Sequence, residues 1–166
     1  TTWLSDLEDQ SLMDYDLQLE NYIKNNLGIK NYKINFTEKG AIPLFHPLNK
    51  NNEKTVYIGS AGGMTRLSTG YTFLNIQEHS KYIVENIDKI EKIKMYNIGK
   101  KYQFLDKIFL RVIKNNPDKM PKIFFEMFKT SSNCIIKFLS NKSNIFEDIN
   151  IIGRMPKLIF MRALFQ

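Results

Sequence analysis

Residues 56–73 read VYIGSAGGMTRLSTGYTF, and the predicted fold depends on this stretch. Residues 55–58 (TVYI) form a short β-branched and aromatic run of the kind found in buried parallel strands. Gly59, Gly62 and Gly63 come next and crowd a turn before an amphipathic segment. Such a turn, between a strand and a helix N-terminus, lets backbone N–H groups approach an anion. The stretch therefore predicts either a loop that contacts a dinucleotide or a tight connection in an α/β domain. Because it is neither GxGxxG nor a Walker loop, the main phosphate site of any nucleotide would lie elsewhere.

The composition predicts one globular domain. The 166 residues are 43% hydrophobic and 13% aromatic, enough for a real core. Cys134 is the single cysteine, which excludes an internal disulfide framework and a cysteine-based zinc site. His46 and His79 lack the spacing of metal ligands, so we predict structural or solvated histidines and no metal site. No apolar run approaches the roughly 20 residues of a membrane-spanning helix.

The positive charge lies in the second half of the chain. Residues 1–80 carry a net charge of −2, whereas residues 81–166 carry +9 and nine of the twelve phenylalanines. Basic residues combined with large apolar side chains favour an anionic membrane surface or nucleic acid as partner. No nucleic-acid motif is recognisable, and a basic stripe opposite Phe is the pattern of an interfacial helix, so we predict membrane contact and no nucleic acid.

Hydrophobic spacing, together with the Asn, Ser, Gly and Pro residues that separate the segments, predicts three short strands and seven helices. The strands are 32–36 (YKINF), 41–45 (AIPLF) and 55–58 (TVYI). Ser68 or Thr69 is expected to cap the helix after the glycines, and Phe73 and Tyr57 are expected in the core. The predicted helices are 14–26, 71–90, 101–114, 119–129, 132–139, 145–152 and 156–165.

Four stretches that together cover nearly the whole chain resemble one known family. They are 15–44 (YDLQLENYIKNNLGIKNYKINFTEKGAIPL), 56–73, 102–129 (YQFLDKIFLRVIKNNPDKMPKIFFEMFK) and 153–164 (GRMPKLIFMRAL). In that order they are similar to the acidic helix with its strand pair, the second flavin-contacting segment, the C-terminal helices and the closing segment of the lycopene cyclase family.

The resemblance implies a mixed α/β fold: the C-terminal part of an FAD-binding Rossmann-type flavoprotein, followed by a mainly helical region. We accordingly predict three parts. Residues 1–54 end a substrate-binding sheet region, residues 55–97 hold the last FAD-contacting strand, the Gly-Gly loop and a helix, and residues 98–166 form a basic, aromatic helical region.

The resemblance also implies a function, a carotenoid-cyclising flavoenzyme that closes the ends of linear lycopene to β-ionone rings without net redox change. Reduced FAD would stabilise a carbocation, NAD(P)H would serve as reductant, and an acidic residue would protonate the terminal double bond. Such chemistry needs a dry apolar tunnel. The substrate is membrane-borne, so we expect a peripheral protein on the cytoplasmic side of the inner membrane.

Carried over residue by residue, the resemblance assigns two groups of contacts to FAD. The first, in residues 59–64, would wrap the flavin end, and the second, residues 69–71, would start the helix aimed at the isoalloxazine or pyrophosphate oxygens. Ser60 departs from the acidic residue of many flavoproteins, which puts the ribityl contact in doubt, and Met64 is open to a substrate-facing or a packing role. The expected cofactor-binding residues are Gly59, Ala61, Gly62, Gly63, Met64, Thr69, Gly70 and Tyr71.

The proposed catalytic acid has no counterpart in this sequence. In the family it belongs to a Phe-Leu-Glu-Glu-Thr-like stretch, and residues 1–5 (TTWLS) resemble the segment directly after that stretch. The resemblance therefore places the acid upstream of Thr1. We expect a C-terminal fragment that is inactive without the N-terminal part of the same protein. The acidic residues Asp6, Glu8, Asp9, Asp14 and Asp16 are most simply a solvated loop and helix start.

Two other functions stay open at this point. One is another enzyme of the same flavin superfamily, such as a prenyl reductase or an aromatic hydroxylase, although 102–164 resembles cyclases specifically. The other is a non-enzymatic basic module that binds nucleic acid or lipid, of which the interfacial pattern favours lipid.

Overall fold

The computed structural model describes residues 13–40, 43–46, 51 and 55–165. The chain forms two compact units, residues 1–40 and residues 41–166. In the first unit, α1 (Met13–Asn21) continues into one π-helical turn, Tyr22–Asn26. Gly28 then takes a left-handed φ of 68°, which ends the helix. Lys24 pairs with Glu20 one turn earlier, and Lys39 pairs with Asp16.

The second unit is helical. A short 3-10 helix, Gly59–Gly62, precedes α2 (Phe73–Glu85), and another, Ile87–Lys92, comes after it. The remaining helices are α3 (Lys100–Asn115), α4 (Met120–Phe128), α5 (Ser132–Leu139), α6 (Ile145–Arg154) and α7 (Lys157–Leu164), with a 3-10 turn at Pro117–Lys119 between α3 and α4.

Local sequence explains where these helices begin and end. Pro117 stands just past the end of α3, and Pro121 stands in the first turn of α4, where its missing N–H costs no helical bond. Asn144 caps α6 through a capping box: its side chain accepts from the Glu147 N–H, and the Glu147 carboxylate accepts from the Asn144 N–H, both at 2.9 Å. These boundaries match the predicted helices to within a few residues.

The core of the second unit lies between α3, α4, α5 and α6. Val112, Ile123, Met127 and Ile151 have no exposed surface and come from α3, α4 and α6. Phe109 packs its ring against those of Phe124 and Phe160, with centroids 5.5 and 5.6 Å apart. Helix α3 supplies the largest share because its apolar residues recur every three or four positions. No helix in the described part of the chain is both long and apolar enough to cross a membrane.

The α/β prediction is wrong, because the described residues contain no strand and therefore no Rossmann-type sheet. Thr55 makes an isolated bridge, and residues 32–36, 43–45 and 56–58 form no strand. Residues 41–42 lie outside the described residues. Ile34 and Phe36 are 67% and 80% exposed. A β-branched or aromatic run becomes a strand only when a neighbour accepts its ladder of hydrogen bonds, and these runs have none within the described ranges.

The helix after the glycines also differs from its prediction. It begins at Phe73 and ends at Glu85, and its N-cap residue is Thr72, which makes no side-chain capping bond. Ser68 instead donates its hydroxyl to Asp106, so it is no cap. Phe73, predicted in the core, is 64% exposed.

Candidate cofactor site

The glycine loop, residues 59–72, is closed by its own backbone. The N–H groups of Gly62, Gly63 and Met64 donate to the carbonyls of Ile58, Ser60 and Gly59, at 3.2, 3.1 and 3.1 Å. The loop continues with the Arg66 N–H donating to the Tyr71 carbonyl at 2.8 Å. These donors are therefore engaged within the loop rather than directed at a ligand.

Two features explain why glycine is needed here. A Cβ on Gly62 would lie 2.4 Å from the Tyr57 carbonyl oxygen, so the loop folds against the preceding chain only without a side chain. Gly59, Gly63 and Gly70 have φ values of 64°, 71° and 71°, in the left-handed region that L-residues rarely adopt.

Arg66 anchors the loop to α3. Its side chain is fully buried, and its Nε and Nη2 atoms donate to both carboxylate oxygens of Asp106, with the shortest contact at 2.7 Å. The same carboxylate accepts from the Leu67 N–H at 3.1 Å and from the Ser68 hydroxyl at 2.6 Å. Three successive residues of the loop are thus bound to one buried acid, with charge-assisted hydrogen bonds that are stronger than neutral ones.

Aromatic rings and α5 complete the setting of Arg66. Its guanidinium lies over the faces of the Tyr102 and Phe138 rings, at 4.8 and 4.6 Å from their centroids. Its Nη1 atom donates to the Phe138 carbonyl at 2.5 Å and to the Asn141 side chain at 3.2 Å. The buried cation is therefore paired, hydrogen-bonded and stacked, which offsets its desolvation.

A second tie joins the loop to α2. The Asn75 side chain is fully buried and donates to the Met64 carbonyl at 2.8 Å. Asn141 donates to the hydroxyl of Tyr96 at 3.0 Å and, at 3.4 Å, to Asn75. Asn141 has a φ of 61°, in the left-handed region that asparagine tolerates better than most residues. The loop, α2 and α5 thus share one hydrogen-bonded network.

The predicted cofactor contacts differ in how far they are exposed, and they form three groups. Gly62 and Met64 are buried, which favours the packing role for Met64. Ala61 is exposed and forms the outer edge of the loop. The remaining predicted contacts are partly exposed: Gly59, Gly63, Thr69, Gly70 and Tyr71. Ser60, where the wider superfamily carries an acid, accepts a hydrogen bond from the Thr65 hydroxyl at 3.0 Å.

The predicted position of the catalytic acid is not tested by this site. Thr1, upstream of which the acid was predicted, lies outside the described residues, as do Asp6, Glu8 and Asp9. Of the predicted acidic cluster, Asp16 lies on α1 and pairs with Lys39, which agrees with a solvated helix start. The location of the acid upstream of Thr1 therefore stays a prediction.

The comparison with protein families matches residues 1–165 to the family described as lycopene cyclase protein. The chain belongs to the lycopene cyclase family. The predicted resemblance is thereby confirmed, and the family associates this cyclase chain with carotenoid cyclisation. The comparisons with curated proteins and with solved structures gave no match.

In this cyclase chain the outer edge of the loop fits a flat cofactor in one respect. Gly59 and Gly63 are partly exposed and Ala61 is exposed, and all three carry almost no side chain, which permits close approach of a planar ring. Gly70 adds open space, since a Cβ there would meet no atom within 4 Å. On the loop's inner side, the N–H groups of Gly62, Gly63 and Met64 are already occupied by hydrogen bonds to backbone carbonyls.

The titratable groups next to the network respond to burial. Burial lowers the pKa of His79 below its ordinary value of 6.5, and the ring lies between Tyr82 and Tyr96, with its Nε2 atom lacking a partner among the described residues. Burial raises the pKa of Tyr96, against the lowering effect of its hydrogen bond with Asn141. Both groups are neutral at pH 7.

Sequence reasoning missed Arg66, Asp106 and Asn141, although two signals were present. Arg66 is the sole arginine among residues 1–80 and stands inside the glycine loop. Asp106 lies on the apolar face of α3, four residues after Tyr102 and three before Phe109. An acid on an apolar helix face needs a buried cationic partner, which Arg66 supplies.

Proposed function

We propose that this chain is the part of a lycopene β-cyclase that presents the glycine loop to reduced FAD. The enzyme would close the ends of linear lycopene to β-ionone rings, giving γ- or β-carotene, with NAD(P)H as reductant of the flavin. One observation carries the proposal beyond the family: the loop is fixed from behind by the Arg66–Asp106 pair while its outer edge at Ala61 is exposed. Binding sites work best on backbone that is held in place before the ligand arrives.

In this proposal the flavin-contacting residues are the exposed ones. Ala61, with Gly59 and Gly63, would face the ring, and Thr69, Gly70 and Tyr71 would line the start of α2. Bound reduced flavin would supply electrostatic stabilisation of positive charge on the substrate. Gly62 and Met64 would support the loop from within, since neither has an exposed surface of note.

The chain's own residues would act by positioning and by excluding water. A carbocation is quenched by water, so the loop next to it has to stay closed. The hydrogen bonds from Arg66, Leu67 and Ser68 to Asp106 tie the loop to α3 and would keep this part of the loop packed against the helix, so that water does not enter there. Asp106 is therefore a positioning residue and not the proton donor, which the family resemblance assigns to another stretch.

We also propose that the enzyme is peripheral, on the cytoplasmic side of the inner membrane. Helices α6 and α7 and the residue after them expose large apolar side chains, among them Phe146 at 83%, Leu158 at 78% and Phe165 at 85%. Arg154, Lys157 and Arg162 stand on the same two helices. Apolar side chains among cations suit the interface of a membrane that also carries the substrate.

Expression of the full-length gene product in lycopene-accumulating bacteria, with chromatography of the pigments, tests the proposal. We expect γ- or β-carotene. Ala61→Glu should lose bound flavin and conversion, because a carboxylate would meet the anionic cofactor at close range. Gln77→Glu adds the same charge on the exposed face of α2 and should keep both.

Two outcomes contradict the proposal. Unchanged lycopene from a protein that purifies with flavin would favour a prenyl reductase or hydroxylase of the same superfamily. Full flavin occupancy and activity in Ala61→Glu would mean that the loop does not contact FAD.

A further inference from the structure

A groove of about 590 Å³ runs along one side of α3. Its walls combine four cations, Lys100, Lys107, Arg111 and Lys114, with the apolar side chains of Phe104 and Leu110. Among the described residues that line it there is no acid. The volume is within the usual range for ligand sites, about 300–1,000 Å³.

The four cations form one stripe. At about 100° per residue, positions 100, 107, 111 and 114 fall within about 60° of the circumference of α3. Phe104 and Leu110 flank the stripe on either side. The stripe is about 21 Å long, from a rise of about 1.5 Å per residue.

Several lysines elsewhere in the helical unit are paired with acids. Lys101 pairs with Asp148 at 2.7 Å, Lys137 with Glu147 at 2.6 Å, and Lys129 with Glu126 at 2.8 Å. Within the described part of the chain, the three groove lysines have no such partner. Uncompensated cations that share one concave surface create a local positive potential, which attracts anions.

The floor of the groove is rigid. Arg111 is partly buried and donates from Nη1 to the Ala163 carbonyl at 3.1 Å, near the C-terminus of α7. Leu67, which also lines the groove, is held by its N–H bond to Asp106. A ligand in the groove would therefore meet a surface that is already formed.

We propose that this groove binds the phosphate headgroup of an anionic phospholipid. The cations would take the phosphate, and Phe104, which is 58% exposed, would contact the apolar part of the lipid next to it. A soluble phosphate compound offers the first contact but not the second. The inference deepens the proposed membrane association and rests on it, since it names the lipid class that the enzyme selects.

Vesicle co-sedimentation of the full-length enzyme tests the groove. The probes are vesicles of phosphatidylcholine alone and vesicles that also contain phosphatidylglycerol. The groove variant is Lys107→Gln with Lys114→Gln. The matched control is Lys89→Gln with Lys92→Gln, which removes the same charge from exposed lysines outside the groove. Circular dichroism verifies that both variants fold.

We expect the wild-type enzyme to prefer anionic vesicles, with a preference that weakens at high salt. The groove variant should lose about 25-fold in affinity, about fivefold per lysine, whereas the control should lose much less. Equal losses in both variants would overturn the groove in favour of general electrostatic attraction.

Other results separate the groove from the membrane proposal. Equal binding to both vesicle types would overturn the groove and leave the membrane association in place. Binding to neither would overturn both. In a parallel calorimetric titration, pyrophosphate binding that depends on Lys107 and Lys114, without anionic vesicle binding, would overturn the lipid and assign the groove to a soluble phosphate compound.

Discussion

Replacing Asp106 by Asn should open the glycine loop while α3 stays folded. Asp106 accepts from Arg66, Leu67 and Ser68, and its side chain and that of Arg66 are 2% and 0% exposed. The Asn side chain keeps one acceptor oxygen, but its NH2 group replaces the other and faces the hydrogen-bond donors of the loop, so these donors lose their acceptor. Breaking a buried ion pair by removing one partner costs about 3–5 kcal/mol, because the remaining charge is left uncompensated.

Hydrogen exchange with mass spectrometry measures this cost locally in the full-length enzyme. The amides of Arg66, Leu67 and Gly70 are hydrogen-bonded within the loop or to Asp106. If loop opening becomes easier by about 3–5 kcal/mol, their exchange should accelerate by about two to four powers of ten. Asp88→Asn, at an exposed site, is the matched control and should leave the loop amides unchanged.

A double variant separates the pair from the fold. Arg66→Met combined with Asp106→Leu removes both charges and should exchange more slowly than Asp106→Asn, because no buried charge is left alone. Loop exchange in Asp106→Asn within about threefold of wild type, a difference under about 1 kcal/mol, would refute the reasoning.

Three further predictions concern single sites. Gly62→Ala should accelerate hydrogen exchange of the loop amides, because its Cβ would clash with the Tyr57 carbonyl oxygen. Gly153→Ala lies in open space on α6 and should slow amide exchange there, because alanine stabilises a helix by about 0.5–1 kcal/mol relative to glycine. Equal effects of the two substitutions on exchange would contradict this. Stability should fall as the pH drops below 6.5, because His79 takes up a proton in the unfolded chain that its buried ring resists in the folded one. In thermal melts across pH, His79→Phe should flatten this dependence, and an unchanged pH profile would contradict the reasoning. Asn144→Ala should cost about 1 kcal/mol in urea unfolding, and an unchanged midpoint would mean that the capping box adds nothing.

The helices could be predicted from sequence because their signals are local. The apolar spacing of α3, Pro117 after it, and Asn144 three residues before Glu147 each act within one or two turns. The predicted strand at 32–36 failed for the opposite reason. Alternating apolar residues favour an extended chain, but a strand exists only when a distant segment pairs with it.

The glycine loop of the candidate site could be predicted from sequence. The buried contacts that hold it could not, because they join residues far apart along the chain. The glycines identified the loop, since positive φ and close backbone approach leave a direct mark in the sequence. Nothing local connects Arg66 to Asp106, 40 residues away, or to Asn141, 75 residues away. The membership in the lycopene cyclase family was predicted because long ordered similarity does not require knowledge of contacts.

The burial of Arg66 also sets an order of events during synthesis. Its partners Phe138 and Asn141 lie 72 and 75 residues later in the chain. At about 5–20 residues per second, a ribosome needs about 4–15 s to make that stretch. During this interval the glycine loop is already made, but Arg66 has neither the Phe138 carbonyl that accepts its hydrogen bond nor the Phe138 ring that its guanidinium contacts. The loop must therefore reach its final hydrogen-bonded conformation late. A nascent chain stalled before residue 138 would carry Arg66 without its contacts to Phe138 and Asn141.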